Sequence, residues 1–169
     1  STADAGHDAA AEHYYLRGIS AAHAAGDAVL AAHLVSGLAY HRAEVPRTGE
    51  KADAVLLARS ALARATASDR PWLTPTVRAL LHARLAWAHA RSGAPDAAAE
   101  EMGRAVDEYG RRKPDDPNPS WVYWLSAEEM DIIVGRCDIA TGHPDRARRR
   151  LDHALRTCDP RYAREYTPY

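Results

Sequence analysis

The chain has 169 residues, which is enough for one ordinary core or one short solenoid. Apolar residues make up 46% and charged residues 27%, the balance of a soluble folded chain, and no eighteen-residue apolar run, signal-peptide stretch or lipidation motif occurs. A membrane partner is therefore not expected, cytoplasm is the expected compartment, and a net charge of −1 gives no global attraction for a phosphate backbone, so no direct nucleic-acid contact is expected.

In chain order, seven helices are predicted. Residues 7–25 carry Tyr14, Tyr15, Leu16 and Ile19 and stop at Gly26-Asp27. Residues 28–44 carry Val29, Leu30, Leu34, Val35 and Leu38 and end near Pro46. Residues 50–67 hold Val55, Leu56, Leu57 and Leu62, and a break at Asp69-Arg70-Pro71 follows. Thr74 is an N-cap candidate with Pro75 at the first helical position, where a missing N–H costs nothing. That helix runs to Arg91 and stops at Ser92-Gly93; Pro95-Asp96 opens the next, which ends at Tyr109-Gly110.

The stretch 111–125 is irregular, because Pro114, Pro117 and Pro119 forbid a continuous helix. Ser126 and Glu129 have capping-box spacing, so a helix restarts there and ends at Thr141-Gly142. His143-Pro144-Asp145 begins the seventh helix, which runs to about Thr157 before the Asp159-Pro160 terminator. A further helix can start at Arg161. No segment alternates with period two, so the fold class is all-α.

A four-fold echo runs through these helices. Gly6, Gly49, Gly93 and Gly142 are followed at offsets of five, nine and twelve by small, larger and small residues, with Ala58 and Gly18 as degenerate positions. The sets are Ala11, Tyr15 and Gly18; Ala54, Ala58 and Ala61; Ala98, Met102 and Ala105; Ala147, Leu151 and Ala154. These offsets share one helix face, and each glycine is expected to end the helix before it. A small residue after an aliphatic one, in Leu38-Ala39, Leu85-Ala86 and Val134-Gly135, lets the paired helix approach closely. Stacked antiparallel helical hairpins follow, each needing a neighbour to bury its apolar face.

This pattern resembles the tetratricopeptide repeat, in which a small residue of helix A meets an alanine–aromatic–alanine pattern in helix B. The resemblance covers nearly the whole chain and implies one short right-handed solenoid domain over 1–169, with 111–125 as a proline-rich insertion. The units lie 43, 44 and 49 residues apart, longer than the usual repeat. Three stretches carry a narrower likeness: residues 14–27, residues 78–90, and Pro119 to Trp124 ahead of the helix holding Gly135, Arg136 and Cys137. They resemble the C-terminal repeat region of bacterial transcriptional regulators that carry an XRE-type, lambda-repressor-like helix-turn-helix. The resemblance implies a domain that senses a ligand or partner, or dimerises. With Ser1 in place of methionine and apolar edges at both ends, a fragment of a longer chain is expected.

Repeats of this family bind along the surface made by helix A of each repeat. The resemblance places His33, Ser36 and Tyr40 there, then Ala83, Trp87 and Arg91, then Glu129, Ile132 and Arg136. Tyr40, Trp87 and Arg136 occupy equivalent positions, a ladder suited to stacking on a ring or peptide and forking onto a carboxylate. Core packing explains Tyr40 and Trp87 equally well. Trp121, Tyr123 and Trp124 form either a lid over the groove or a hydrophobic staple at the start of the sixth helix, and the Trp124-Leu125-Ser126 order favours the staple. The expected partner is a protein, peptide or small molecule, with a homodimer as the alternative: a scaffold whose first helix or 162–169 edge packs on a second copy.

Other chemistry finds little support. His82 and His89 are the closest same-face histidine pair and no HExxH spacing occurs, so no metal and no cofactor are expected. Arg146, Arg148, Arg149 and Arg150 read as a solvated helix face. Cys137 and Cys158 read as thiols of a reducing compartment. No strained-turn serine or phosphate loop is present, so an enzyme is not expected.

Overall fold

Turn chemistry decides where the helices end. The computed structural model describes residues 2–44, 50–67 and 72–157, with backbone only at 2–7, 50 and 157. Among these residues all regular structure is helical. The helices are α1 (Thr2–Ala24), α2 (Ala28–Glu44), α3 (Glu50–Thr66), α4 (Pro75–Arg91), α5 (Pro95–Gly110), α6 (Ala127–Ala140) and α7 (Pro144–Thr157). None is long and apolar enough to cross a membrane. Pro46, Gly49, Asp69-Arg70-Pro71, Cys158, Asp159-Pro160 and the segment from Arg161 to Tyr169 lie outside the described residues.

Three turns share one design. Gly26, Gly93 and Gly142 adopt φ of 71°, 81° and 82°, a conformation open to glycine without a Cβ penalty. In each, the following N–H reaches back five residues: Asp27 to Ala22, Ala94 to His89 and His143 to Asp138. The next helix starts at once. The Asp27 carboxylate accepts from the Leu30 N–H at 2.9 Å, and Pro95 and Pro144 open α5 and α7. The Thr74 hydroxyl accepts from the Val77 N–H at 3.4 Å and donates to Asn118 Oδ1 at 2.6 Å, tying the proline-rich stretch to the start of α4.

One glycine departs from the expected pattern. Gly6 ends no helix; it lies inside α1, which begins at Thr2 rather than near residue 7. Ala3, Ala5, Ala9 and Ala10 surround it, and their helix propensity outweighs the roughly 1 kcal/mol that a single glycine costs.

The chain forms two compact units, Ser1–Asn118 and Pro119–Tyr169. In the first, α1 packs on α2, α2 on both α3 and α4, α3 on α4, and α4 on α5. Successive helices run antiparallel, as the pairing of Arg42 with Glu12 and of His82 with Glu101 requires. α2 and α4 lie side by side and parallel, because His33 meets Arg84 while Ala43 meets Arg91. The second unit is built on the α6/α7 hairpin.

The small–large–small positions are the packing face. Ala54, Ala58, Ala61, Ala98, Met102, Ala105, Ala147 and Ala154 are all buried. Close approach is tight at Gly135, where an added Cβ would lie 3.1 Å from Leu151 Cδ2 and Cγ, and tighter still at Gly37, where it would lie 2.7 Å from Tyr15 Cε1. Gly135→Leu is expected to lower stability by about 1–3 kcal/mol through overpacking, read as a lower urea midpoint at unchanged slope. A midpoint equal to wild type would mean that α6 and α7 have room to spare.

Candidate functional site

Two ridges of side chains form the candidate site. On α2, His33, Ser36 and Tyr40 are spaced i, i+3, i+7; on α4, Arg84, Trp87 and Arg91 repeat that spacing. Residues so spaced share one helix face, and the two faces meet in register. The Tyr40 and Trp87 rings stack with centroids 6.0 Å apart and planes 29° apart. Arg91 places its guanidinium 5.7 Å from the Trp87 ring centre, and its Nε donates to the Ala43 carbonyl at 3.3 Å.

Arg84 crosses from α4 to α2 at the other end of the stack. Its Nη1 donates to the His33 carbonyl at 2.9 Å and to Ser36 Oγ at 2.8 Å, and lies 3.3 Å from His33 Nδ1. Ser36 Oγ in turn donates to the His33 carbonyl at 2.8 Å. Burial lowers the guanidinium pKa to about 10, with Tyr15 and Tyr40 acting in the opposite direction. Burial, and then the Arg84 charge, bring His33 down to about 3, so its ring is neutral at pH 7. Among the described residues no carboxylate pairs with either Arg84 or Arg91. On α1, Glu12 pairs with Arg42, and Asp8 lies 3.9 Å from His41 Nε2.

The expected site residues divide by depth. Ser36, Ala83 and Trp87 are buried, Trp87 with 8% of its surface exposed, so the Tyr40–Trp87 contact packs α2 against α4. His33, Tyr40 and Arg91 keep part of their surface open. Arg84 escaped the sequence reading, although the i, i+3, i+7 ridge it shares with Trp87 and Arg91 was visible. Its neighbours Ala83, Leu85 and Ala86 also mark it as an arginine in an apolar stretch.

Glu129, Ile132 and Arg136 belong to the second unit. Glu129 and Ile132 are half-buried and Arg136 is exposed. The Ser126 hydroxyl caps α6 by accepting from the Glu129 N–H at 3.2 Å. Glu128, bonded to its own backbone N–H and then to Ser126, has its carboxyl held below the ordinary range. Trp124 Nε1 donates to the Trp121 carbonyl at 3.0 Å. Leu125 and Met130, the two positions of a hydrophobic staple, are both buried, whereas Tyr123 is exposed.

Elsewhere the polar groups pair among themselves. His82 Nδ1 lies 2.7 Å from Glu101, whose other oxygen accepts from Arg104 at 2.7 Å. His89 is buried, and burial followed by the Arg59 charge lowers its pKa. No group of three or more His, Cys, Asp or Glu with metal-binding placement occurs among the described residues. Arg146 binds Asp138 at 2.7 Å and Arg150 reaches Asp131 at 3.5 Å, around a hollow of about 310 Å³ that Arg149 and His153 also line. Burial pushes the Cys137 thiol up to about 11, far from a reactive thiolate. A hollow of about 540 Å³ between α1, α2 and α3 is walled by Ala28, Ala31, Ala32, Val35, Leu57 and Ala61, with Arg64 and His23 also lining it.

Compared with known proteins, the chain matches no family model, no curated protein and no solved structure.

Proposed function

We propose that this chain is the ligand-binding repeat domain of a cytoplasmic bacterial transcriptional regulator, and that the α2/α4 face takes a peptide, small molecule or partner segment. One observation carries the reading: two helix faces in register present a ring stack between Arg84 and Arg91, with Tyr40, His33 and Arg91 open to solvent in part. Rings give area at low entropy cost, and guanidinium groups give directional bonds to a polar ligand. The likeness of residues 14–27, 78–90 and 119–124 to the repeat region of XRE-type regulators supplies the regulatory part. Ligand binding then shifts the population of helix arrangements and biases an attached DNA-binding module. The reading is non-catalytic.

The test is a thermal-shift screen of peptides and metabolites, repeated on Tyr40→Ala and Arg91→Ala. A ligand at 100 times its Kd is expected to add about 2.7 kcal/mol of stability to the wild type. The gain should vanish in both variants. A ligand that stabilises the variants equally would overturn the site assignment, and a gene with no helix-turn-helix upstream of Ser1 would overturn the regulatory one.

A second reading, a scaffold that dimerises, draws on α1. That helix exposes Tyr14 and Leu16, 74% and 49% open. A concentration-independent monomer in sedimentation would remove it.

A further inference from the structure

Arg84 sets a problem in electrostatics. A guanidinium drawn out of water is stable only if its charge and its N–H groups are compensated. Here one nitrogen, Nη1, does all the bonding, and its partners are a carbonyl, a hydroxyl and an imidazole, all neutral. Among the described residues no acceptor reaches Nε or Nη2. The imidazole brings no negative charge either, since His33 stays neutral well below physiological pH.

The surroundings add to the imbalance. Arg91 sits two turns along the same face, roughly 10 Å away by helix rise, and among the described residues it meets neutral groups, the Ala43 carbonyl and the Trp87 ring. Two cations with no carboxylate partner among the described residues, one of them desolvated, leave a positive field at a face that retains solvent access through Tyr40 and His33.

We propose that Arg84, supported by Arg91, is the anchor for a carboxylate of the ligand on the α2/α4 face, the carboxylate bonding the Nε and Nη2 edge that the fold leaves unused. The inference rests on the reading of that face as a binding site and adds the ligand's chemical class. Nη1, pinned to Ser36 and the His33 carbonyl, fixes the guanidinium plane, so the remaining edge is presented in a set orientation. A carboxylate fits that edge with two parallel N–H···O bonds. Tyr40, partly open and backed by the buried Trp87 ring, then faces whatever follows the carboxylate.

The measurement is the Nε–Hε resonances of ¹⁵N-arginine-labelled protein at constant ionic strength, with acetate and a tetraglutamate peptide as probes and chloride as control. At least one carboxylate probe is expected to shift the Arg84 resonance along a saturating curve. Saturation by acetate assigns a small acid, and saturation by the peptide alone assigns an acidic segment. Arg91→Gln should weaken the titration by about ten-fold and Arg84→Met should abolish the effect on the Tyr40 ring signals. Arg91→Gln carries the test if Arg84→Met fails to fold. Shifts no larger than those of chloride, or no effect of Arg91→Gln, overturn the proposal. A ligand from the thermal screen that moves Tyr40 but leaves the Arg84 resonance in place overturns the carboxylate anchor and keeps the binding face. A carboxylate titration in a protein whose screened ligand ignores Tyr40→Ala and Arg91→Ala does the reverse.

Discussion

Trp87→Ala is expected to destabilise the chain by about 3–5 kcal/mol, the usual loss when a large buried ring is truncated and its cavity only partly collapses. Trp87 is 8% exposed, stacks on Tyr40 at 6.0 Å and carries the Arg91 guanidinium at 5.7 Å, so truncation removes contacts to both α2 and its own helix. That loss is a large share of the 5–15 kcal/mol typical of a folded domain. Urea unfolding followed by helicity checks it, and a loss below about 1 kcal/mol would mean that the ring is not packed between the two helices. The residue is therefore a poor probe of ligand binding: its removal loosens the site it would report on. Arg91 and Tyr40, both partly open, are the informative positions.

Acidification from pH 7 to 5 is expected to cost about 2 kcal/mol through His33 alone, at one proton and about 1.4 kcal/mol per pH unit. The sign follows from which state binds the proton. Unfolded, the imidazole protonates near 6.5; folded, burial and Arg84 delay protonation to about 3. Between those values the unfolded chain holds the extra proton, so this stability is present above 6.5 and is lost as pH falls towards 3. His89, also lowered, adds in the same direction. Urea midpoints at pH 7, 6 and 5 measure the slope. His33→Gln should flatten it, and parallel slopes in the two proteins would refute the buried neutral imidazole.

Much of the fold was legible because helix ends are written locally. Thr74-Pro75, Ser92-Gly93, Ser126 and Gly142-His143-Pro144 each hold their turn chemistry within a few residues, and the helices start and stop there within about one residue. The small–large–small positions were legible for the same reason, since a helix face is set by spacing alone. Gly6 misled because a glycine signals a turn only where its flanks allow one, and alanines on both sides do not.

The site was less legible. The spacing of His33, Tyr40, Trp87 and Arg91 places each on a definite side of α2 or α4, and that much is readable from the sequence. That Trp87 is buried while Tyr40 stays partly open depends on how α2 and α4 abut, which no local pattern encodes. Arg84 is the clearest case. Its partners lie 48 and 51 residues back along the chain, and nothing near Arg84 in sequence says that a carbonyl and a hydroxyl of α2 will meet it.

Those long separations also bear on the order of assembly. The turns at Gly26, Gly93 and Gly142 join neighbours in sequence, so each hairpin closes a short loop and can form early. The Arg84 bridge and the Tyr40–Trp87 stack join segments nearly fifty residues apart and can close only once both helices exist. Interactions that arrive late act as a latch on the finished molecule: loosening them speeds escape from the native state and hardly slows its formation. An anion seated on Arg84 would therefore lengthen the lifetime of the folded chain, leaving the rate at which it folds almost untouched.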